Sequence, residues 1–153
     1  MVLIYMMKYD KNNIIEKIKN ALILAGSTFS EDKKDVYRKA IEKETVSGAK
    51  WVLENTLKNA LIAEENNSPL CDDTGIPHLF IEVGPNKHID GDLINIIYNG
   101  VAEGLRALPG RPMAIKGNDL QRIDQSGGLD VDPAALKPSP LLIKQTNENV
   151  IRL

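Results

Sequence analysis

The chain has a single cysteine among its 153 residues, which excludes an internal disulfide. A strong charge of either sign is also missing: nineteen basic against twenty-one acidic residues leave a net charge of -2. No basic stripe stands out, so the electrostatic footprint of a nucleic-acid binder is absent. Long hydrophobic runs are lacking too. The apolar start Met1–Met7 covers seven residues, against about 20 for a membrane-spanning helix. No small-residue cleavage site follows it, as a signal peptide requires. It reads as an N-terminal strand or a disordered start, and a cytoplasmic location is the expectation. No internal repeat, low-complexity tract or long linker divides the sequence, so residues 1–153 read as one domain. With 42% hydrophobic and 26% charged residues, the composition is that of an ordinary globular domain able to bury a core.

The first half has helical periodicity. Asn13 followed by Glu16 has the form of a capping box with Asn in place of Ser or Thr. Ile14, Ile18, Ala21, Leu22 and Ala25 recur at helical spacing up to Gly26. Ser30-Glu31-Asp32 marks a second helix start, with acids at the positive end of the dipole; Val36, Ala40 and Ile41 form its narrow apolar face. Gly48 separates it from a third helix striped by Leu53, Leu57, Ala60 and Leu61. After the turn Asn66-Asn67-Ser68-Pro69 comes the polar loop Leu70–Pro77, then Leu79–Val83, read as a short buried strand. A fourth helix is expected from about Asp92 to Leu105, with Leu93, Ile97, Gly100, Val101 and Gly104 on one side. Gly100 and Gly104 permit another backbone to approach closely. Beyond Arg111-Pro112 the periodicity fades into loop composition, and Leu141-Leu142-Ile143 reads as a last strand. The fold class is α+β, with N-terminal helices packed on a small sheet.

The chemistry-bearing residues gather in loops. Cys71 sits in the polar loop beside Asp72 and Asp73. Adjacent carboxylates disfavour a free thiolate, which argues against a nucleophilic thiol, whereas a bound metal deprotonates the sulfur outright. Metal ligation therefore suits these neighbours better, although a lone cysteine is most often a small buried hydrophobe. Arg106 ends the fourth helix, where a cation complements the dipole. Arg111, between Gly110 and Pro112, has no such structural role, and its planar fork can grip a carboxylate bidentately. His78 and His88 lack metal-ligand spacing. Asp124, Asp130 and Asp132 lack the spacing of a calcium loop.

The run Pro69-Leu70-Cys71-Asp72-Asp73-Thr74-Gly75, followed by Phe80-Ile81-Glu82-Val83-Gly84, resembles the N-terminal region of class I fumarases and L-tartrate dehydratase alpha subunits. Their usual pattern is Cys-Gln-Asp-Thr-Gly before a strand ending in Glu-Val-Gly. Leu108-Pro109-Gly110-Arg111-Pro112 is similar to the family's Pro-x-Leu-Arg-Pro region, and the likeness covers roughly residues 40–116. It implies a [4Fe–4S] cluster with one iron open to substrate, in a hydro-lyase that reversibly dehydrates a 2-hydroxy dicarboxylate. Cys71 would then be a cluster ligand. Asp73 would act in substrate positioning and proton transfer, Asp72 would lie beside the substrate, and Arg111 would hold a carboxylate. Because a cluster takes three or four thiolates, the other cysteines must come from outside this chain. The resemblance implies a catalytic C-terminal or beta-type subunit and an oligomeric assembly. The sequence departs from the family at Asp72, where Gln is usual, and in its tail. Both departures also suit an inactive paralogue serving as a binding or regulatory module.

Overall fold

The first helix, α1 (Lys11–Ser27), starts earlier than the Asn13/Glu16 pattern suggests. Its N-cap is Asp10, whose carboxylate accepts a hydrogen bond from the Asn13 amide at 3.1 Å. Asn13 looks like a cap in sequence, but Asp10 already satisfies that orphan amide, so the helical turn extends back to Lys11. The computed structural model describes residues 10–71, 73–108 and 110–153; the apolar start Met1–Met7 and Asp72 lie outside the described residues.

Helix α2 (Glu31–Lys43) begins after Ser30 as the sequence indicates. Ser30 makes no side-chain cap bond to the helix; the proximity of its hydroxyl lowers the Asp32 carboxyl below its ordinary range. Helix α3 (Ser47–Asn66) takes Gly48 into its first turn, so the break lies at 44–46, where Glu44 Oε1 accepts the Val46 amide at 2.8 Å. The expected apolar face of α2 is displaced. Val36 is 63% exposed, and the buried residue is Lys34. The Lys34 ammonium bridges Glu31 at 2.8 Å and Glu64 of α3 at 2.5 Å, so a charged contact ties these two helices together. On α3 the small residues Ala60 and Ala63 are buried, while Leu61 stays 43% exposed.

Helix α4 (Gly91–Ala107) is capped by Asp90, which accepts the Leu93 amide at 2.8 Å. Its whole expected face, Leu93, Ile97, Gly100, Val101 and Gly104, is buried. Helix α1 lies across that face. A Cβ added to Gly100 would stand 2.8 Å from Ile18 Cβ, and one on Gly104 would stand 2.8 Å from Leu22 Cδ2. The two glycines therefore set the distance between the helices.

The strands form two separate ladders. Strands β1 (Asp73–Thr74) and β3 (Arg111–Pro112) pair in parallel. Strand β2 (Phe80–Val83) is the centre of a three-stranded sheet. Strand β4 (Leu142–Gln145) runs parallel beside it, with Phe80 opposite Leu142. Strand β5 (Ile151–Arg152) is antiparallel on the other side, with Glu82 opposite Arg152. The core joins the sheet to α4 through Leu79, Ile81, Leu93, Ile97, Val101 and Leu105. Ile81 is wholly buried, a burial that stabilises by roughly 1.5–3 kcal/mol. Phe80 is 60% exposed and Leu142 55% exposed, and Arg152 pairs with Glu82 at 2.6 Å on the same face. The strand read as buried thus has one open side, because helices cover only the other. The architecture is α+β, helices on a small sheet, as the sequence implies.

Candidate functional site

Cys71 is reached from the end of α3. Asn67 takes a left-handed conformation (φ 48°), and the Ser68 amide donates to the Ala63 carbonyl at 2.9 Å, which closes the helix. The Leu70 amide then donates to the Gly26 carbonyl at 2.9 Å. Asn59 Nδ2 donates to the Leu70 carbonyl at 3.2 Å. The residue before the cysteine is therefore pinned to two helices. Cys71 itself is a free, exposed thiol, so it is not the buried small hydrophobe that a lone cysteine most often is.

The arginine arm arrives at the same place. Leu108, buried at the end of α4, packs on Gly26, where an added Cβ would stand 2.6 Å from Leu108 Cδ1. The Gly110 amide turns back to the Leu108 carbonyl at 2.9 Å. The chain then enters β3, whose parallel pairing with β1 puts Arg111 opposite Asp73 and Pro112 opposite Thr74. Adjacent strands lie about 4.8 Å apart. Two sequence-selected residues 38 positions apart thus stand side by side, the first of them two residues beyond Cys71. Gly26 holds the entrances to both arms. Arg111 is exposed and already engaged in an interaction of its own. Asp72 lies outside the described residues.

Other candidates have structural work. Arg106 donates to both oxygens of Asp132, at 3.0 and 2.8 Å, and to Glu103 at 2.8 Å. Asp132 is held below the usual carboxylate range, first by Arg106 and then by the Ala134 amide. Asp124 accepts the Ser126 amide at 2.9 Å, and Asp130 accepts the Asp132 amide at 3.0 Å. These aspartates shape their own loop. His78 borders the larger cavity, about 610 Å³, between α1, α4 and the sheet. That cavity is lined mainly by aliphatic side chains such as Ile14, Ile18, Leu79 and Ile97. It offers few groups for acid–base or metal chemistry, and the Cys71 loop is not on its wall. The chemistry is better served by the β1–β3 ladder. Among the described residues, no group of three or more His, Cys, Asp or Glu side chains is placed to hold a metal ion.

A profile of the family described as fumarate hydratase (Fumerase) matches residues 15–147. The chain belongs to that family. The match takes in most of α1 and most of the tail, and is wider than the 40–116 stretch over which the resemblance is visible by eye. A Methanocaldococcus jannaschii protein bearing the name L(+)-tartrate dehydratase subunit alpha is 34% identical over 87 residues, 56% of this chain. The chain spans about 30% of the length of that relative. Among the described residues, no helix is long and apolar enough to cross a membrane.

Sequence reasoning missed one element of this fumarase-family chain near the ladder. Helix α5 (Asp119–Asp124) carries a reciprocal capping box: the Gln121 amide donates to Asn118 Oδ1, and the Asn118 amide to Gln121 Oε1, each at 3.0 Å. The signal was present as Asn118 followed by Gln121 three residues on. Six residues are too few to show a period. The helix carries Arg122, which lines a second hollow together with Ile76 and Met113.

Proposed function

We propose that this chain is an alpha-type subunit or part of a hydro-lyase that reversibly dehydrates a 2-hydroxy dicarboxylate, of the fumarate hydratase or L-tartrate dehydratase type. The observation that carries the reading is the register of Asp73 against Arg111, two residues beyond an exposed Cys71. Family membership supports it. So does the name of the relative, a subunit alpha.

One exposed thiol fits one corner of a [4Fe–4S] cluster. The chain's single cysteine does not fit a complete set of ligands. The remaining thiolates belong to a catalytic C-terminal or beta-type partner in an oligomeric, cytoplasmic complex. When bound, such a cluster supplies a Lewis acid for the departing hydroxyl. This chain's own contribution is to place and steady the substrate. Arg111 offers two parallel N–H donors to a substrate carboxylate. Asp73, beside it on the ladder, positions the substrate hydroxyl and assists proton transfer. In the reaction the C–O bond breaks, the neighbouring carbon gives up its proton, and a C=C bond forms.

Asp72 favours a second reading. It replaces the family's usual Gln, and two like charges 4 Å apart at an effective dielectric near 20 repel by about 4 kcal/mol. A chain with that repulsion unrelieved is an inactive paralogue serving as a binding or regulatory module. Co-expression with a cysteine-rich partner subunit, followed by anaerobic assays of fumarate and tartrate turnover, separates the two. The hydro-lyase reading expects turnover that falls at least tenfold (about 1.4 kcal/mol) with Arg111→Lys. A colourless chain that recruits no partner and binds no dicarboxylate supports the paralogue.

A further inference from the structure

The cavity of about 610 Å³ between α1, α4 and the sheet is an open groove with an apolar lining. Leu93, Ile97 and Val101 of α4 line it together with Ile14 and Ile18 of α1 and Leu79 before β2. Lys17 and His78 are its only polar members, and no carboxylate borders it. Close-packed protein interiors hold few voids larger than a water molecule. A gap of this size within the core calls for an apolar occupant.

The chain carries one within reach. Met1-Val2-Leu3-Ile4-Tyr5-Met6-Met7 has no charged side chain, and only Lys8 and Tyr9 separate it from Asp10. The Asp10 carbonyl accepts the Ile14 amide at 3.1 Å, and Ile14 is already a groove residue. The α1 side of the groove, from Ile14 to Ala25, runs ~17 Å. Nine extended residues reach about 30 Å, so a segment turning back at Asp10 can follow its whole length. Its backbone N–H and C=O groups need partners in apolar surroundings. Strand β5 offers them, because it is the outer strand of the order β4-β2-β5 and a strand edge presents unpaired N–H and C=O groups. Ile151 of β5 and Leu153 just beyond it both border the groove.

We propose that Met1–Met7 docks in this groove as a short strand beside β5, covering the aliphatic lining with its own side chains. A segment tethered by so short a link competes at an effective concentration of about millimolar, which favours it over a second copy of the chain. The proposal is independent of the hydro-lyase reading.

Three of the four methionines, Met1, Met6 and Met7, lie in the segment, and the fourth is Met113. The test labels the methionine methyls with ¹³C in the full chain and records their contacts to isoleucine and leucine methyls by NMR. Adjacent strand residues point to opposite faces, so one of Met6 and Met7 should show contacts to Ile18, Leu93 or Ile97. Mixed labelled and unlabelled chains should show none of these contacts between copies. A Leu3→Asp/Ile4→Asp double variant puts a charge on each face of the strand. It should lose the contacts, bind at least twofold more of an apolar fluorescent dye, and melt about 4 °C or more below wild type. Met6 and Met7 methyls at random-coil positions, without groove contacts, overturn the proposal. Contacts seen only between copies overturn it too, since a second chain would then fill the groove. So does a double variant that keeps the wild-type dye binding and melting temperature. Where the double variant fails to fold, the methyl contacts of the wild-type chain decide.

Discussion

Substituting Gly100 by alanine tests whether the α1–α4 contact sets the framework that carries both arms of the site. The new Cβ would meet three atoms of Ile18: Cβ at 2.8 Å, Cγ2 at 3.0 Å and Cδ1 at 3.1 Å. Ordinary carbon contacts lie near 3.5–4.0 Å. Ile18 is β-branched and helical, so it holds one χ1 rotamer and cannot swing clear. The helices must then separate by several tenths of an ångström, and overpacking of this kind costs about 1–3 kcal/mol. Against it stands the better helix propensity of alanine, up to about 1 kcal/mol. Gly48→Ala isolates the two effects, since a Cβ there meets nothing within 4 Å. Both variants also change the unfolded chain in the same sense, so that contribution cancels. Thermal unfolding should place Gly48→Ala at or above wild type. Gly100→Ala should melt below Gly48→Ala by ~2–4 °C for each kcal/mol of overpacking. Gly100→Ala melting together with Gly48→Ala, or above it, would refute the tight-contact argument.

Further predictions concern charge and the site. Lys34 has its pKa raised by Glu31 and then Glu64. Its stabilising share is complete below the unfolded value of 10.5 and fades as pH rises through the higher folded one. Urea unfolding of Lys34→Met should therefore show a flatter stability profile above that pH than wild type; parallel profiles would contradict the ion-pair account. Asp132 is lowered from 3.8 by Arg106, so its contribution is present above that value and lost as pH falls through the lower folded one. Asp132→Asn should lose part of the acid dependence, and an unchanged acid limb would count against the Arg106 clamp. Cys71 is exposed, so Cys71→Ala in the isolated chain should melt within ~2 °C of wild type; a larger drop would give the thiol a packing role.

Much of the fold was legible because helix periodicity is local. The buried face of α4 was readable residue by residue, and its two glycines announced a close approach by another backbone, which the structure shows to be α1. Local signals also misled. Asn13 with Glu16 imitates a capping box, yet Asp10 holds the amide; Gly48 looks like a breaker but lies within the first turn of α3. Val36 was expected in the core, but the α2–α3 contact is made through Lys34 and Glu64, a pairing that hydrophobic periodicity does not encode. Strand β5 has only two residues, too few to show alternation. The candidate site divides the same way. Cys71 and Arg111 stood out singly by residue type and loop setting, and Asp73 through the resemblance alone. Their assembly did not, because strand register depends on where Gly26 anchors Leu70 and Leu108. Helix α5 was missed because six residues leave only its caps as a signal.

The most direct measurement is the iron and sulfide content of this chain co-expressed and purified anaerobically with a cysteine-rich hydro-lyase subunit, the partner the proposal requires, in wild type and in Cys71→Ala. The account predicts a cluster in the wild-type complex and its loss or loss of one iron in the variant, with the two subunits still associated. A Cys71→Ala complex that keeps a full complement of iron would contradict the assignment of this thiol as a ligand.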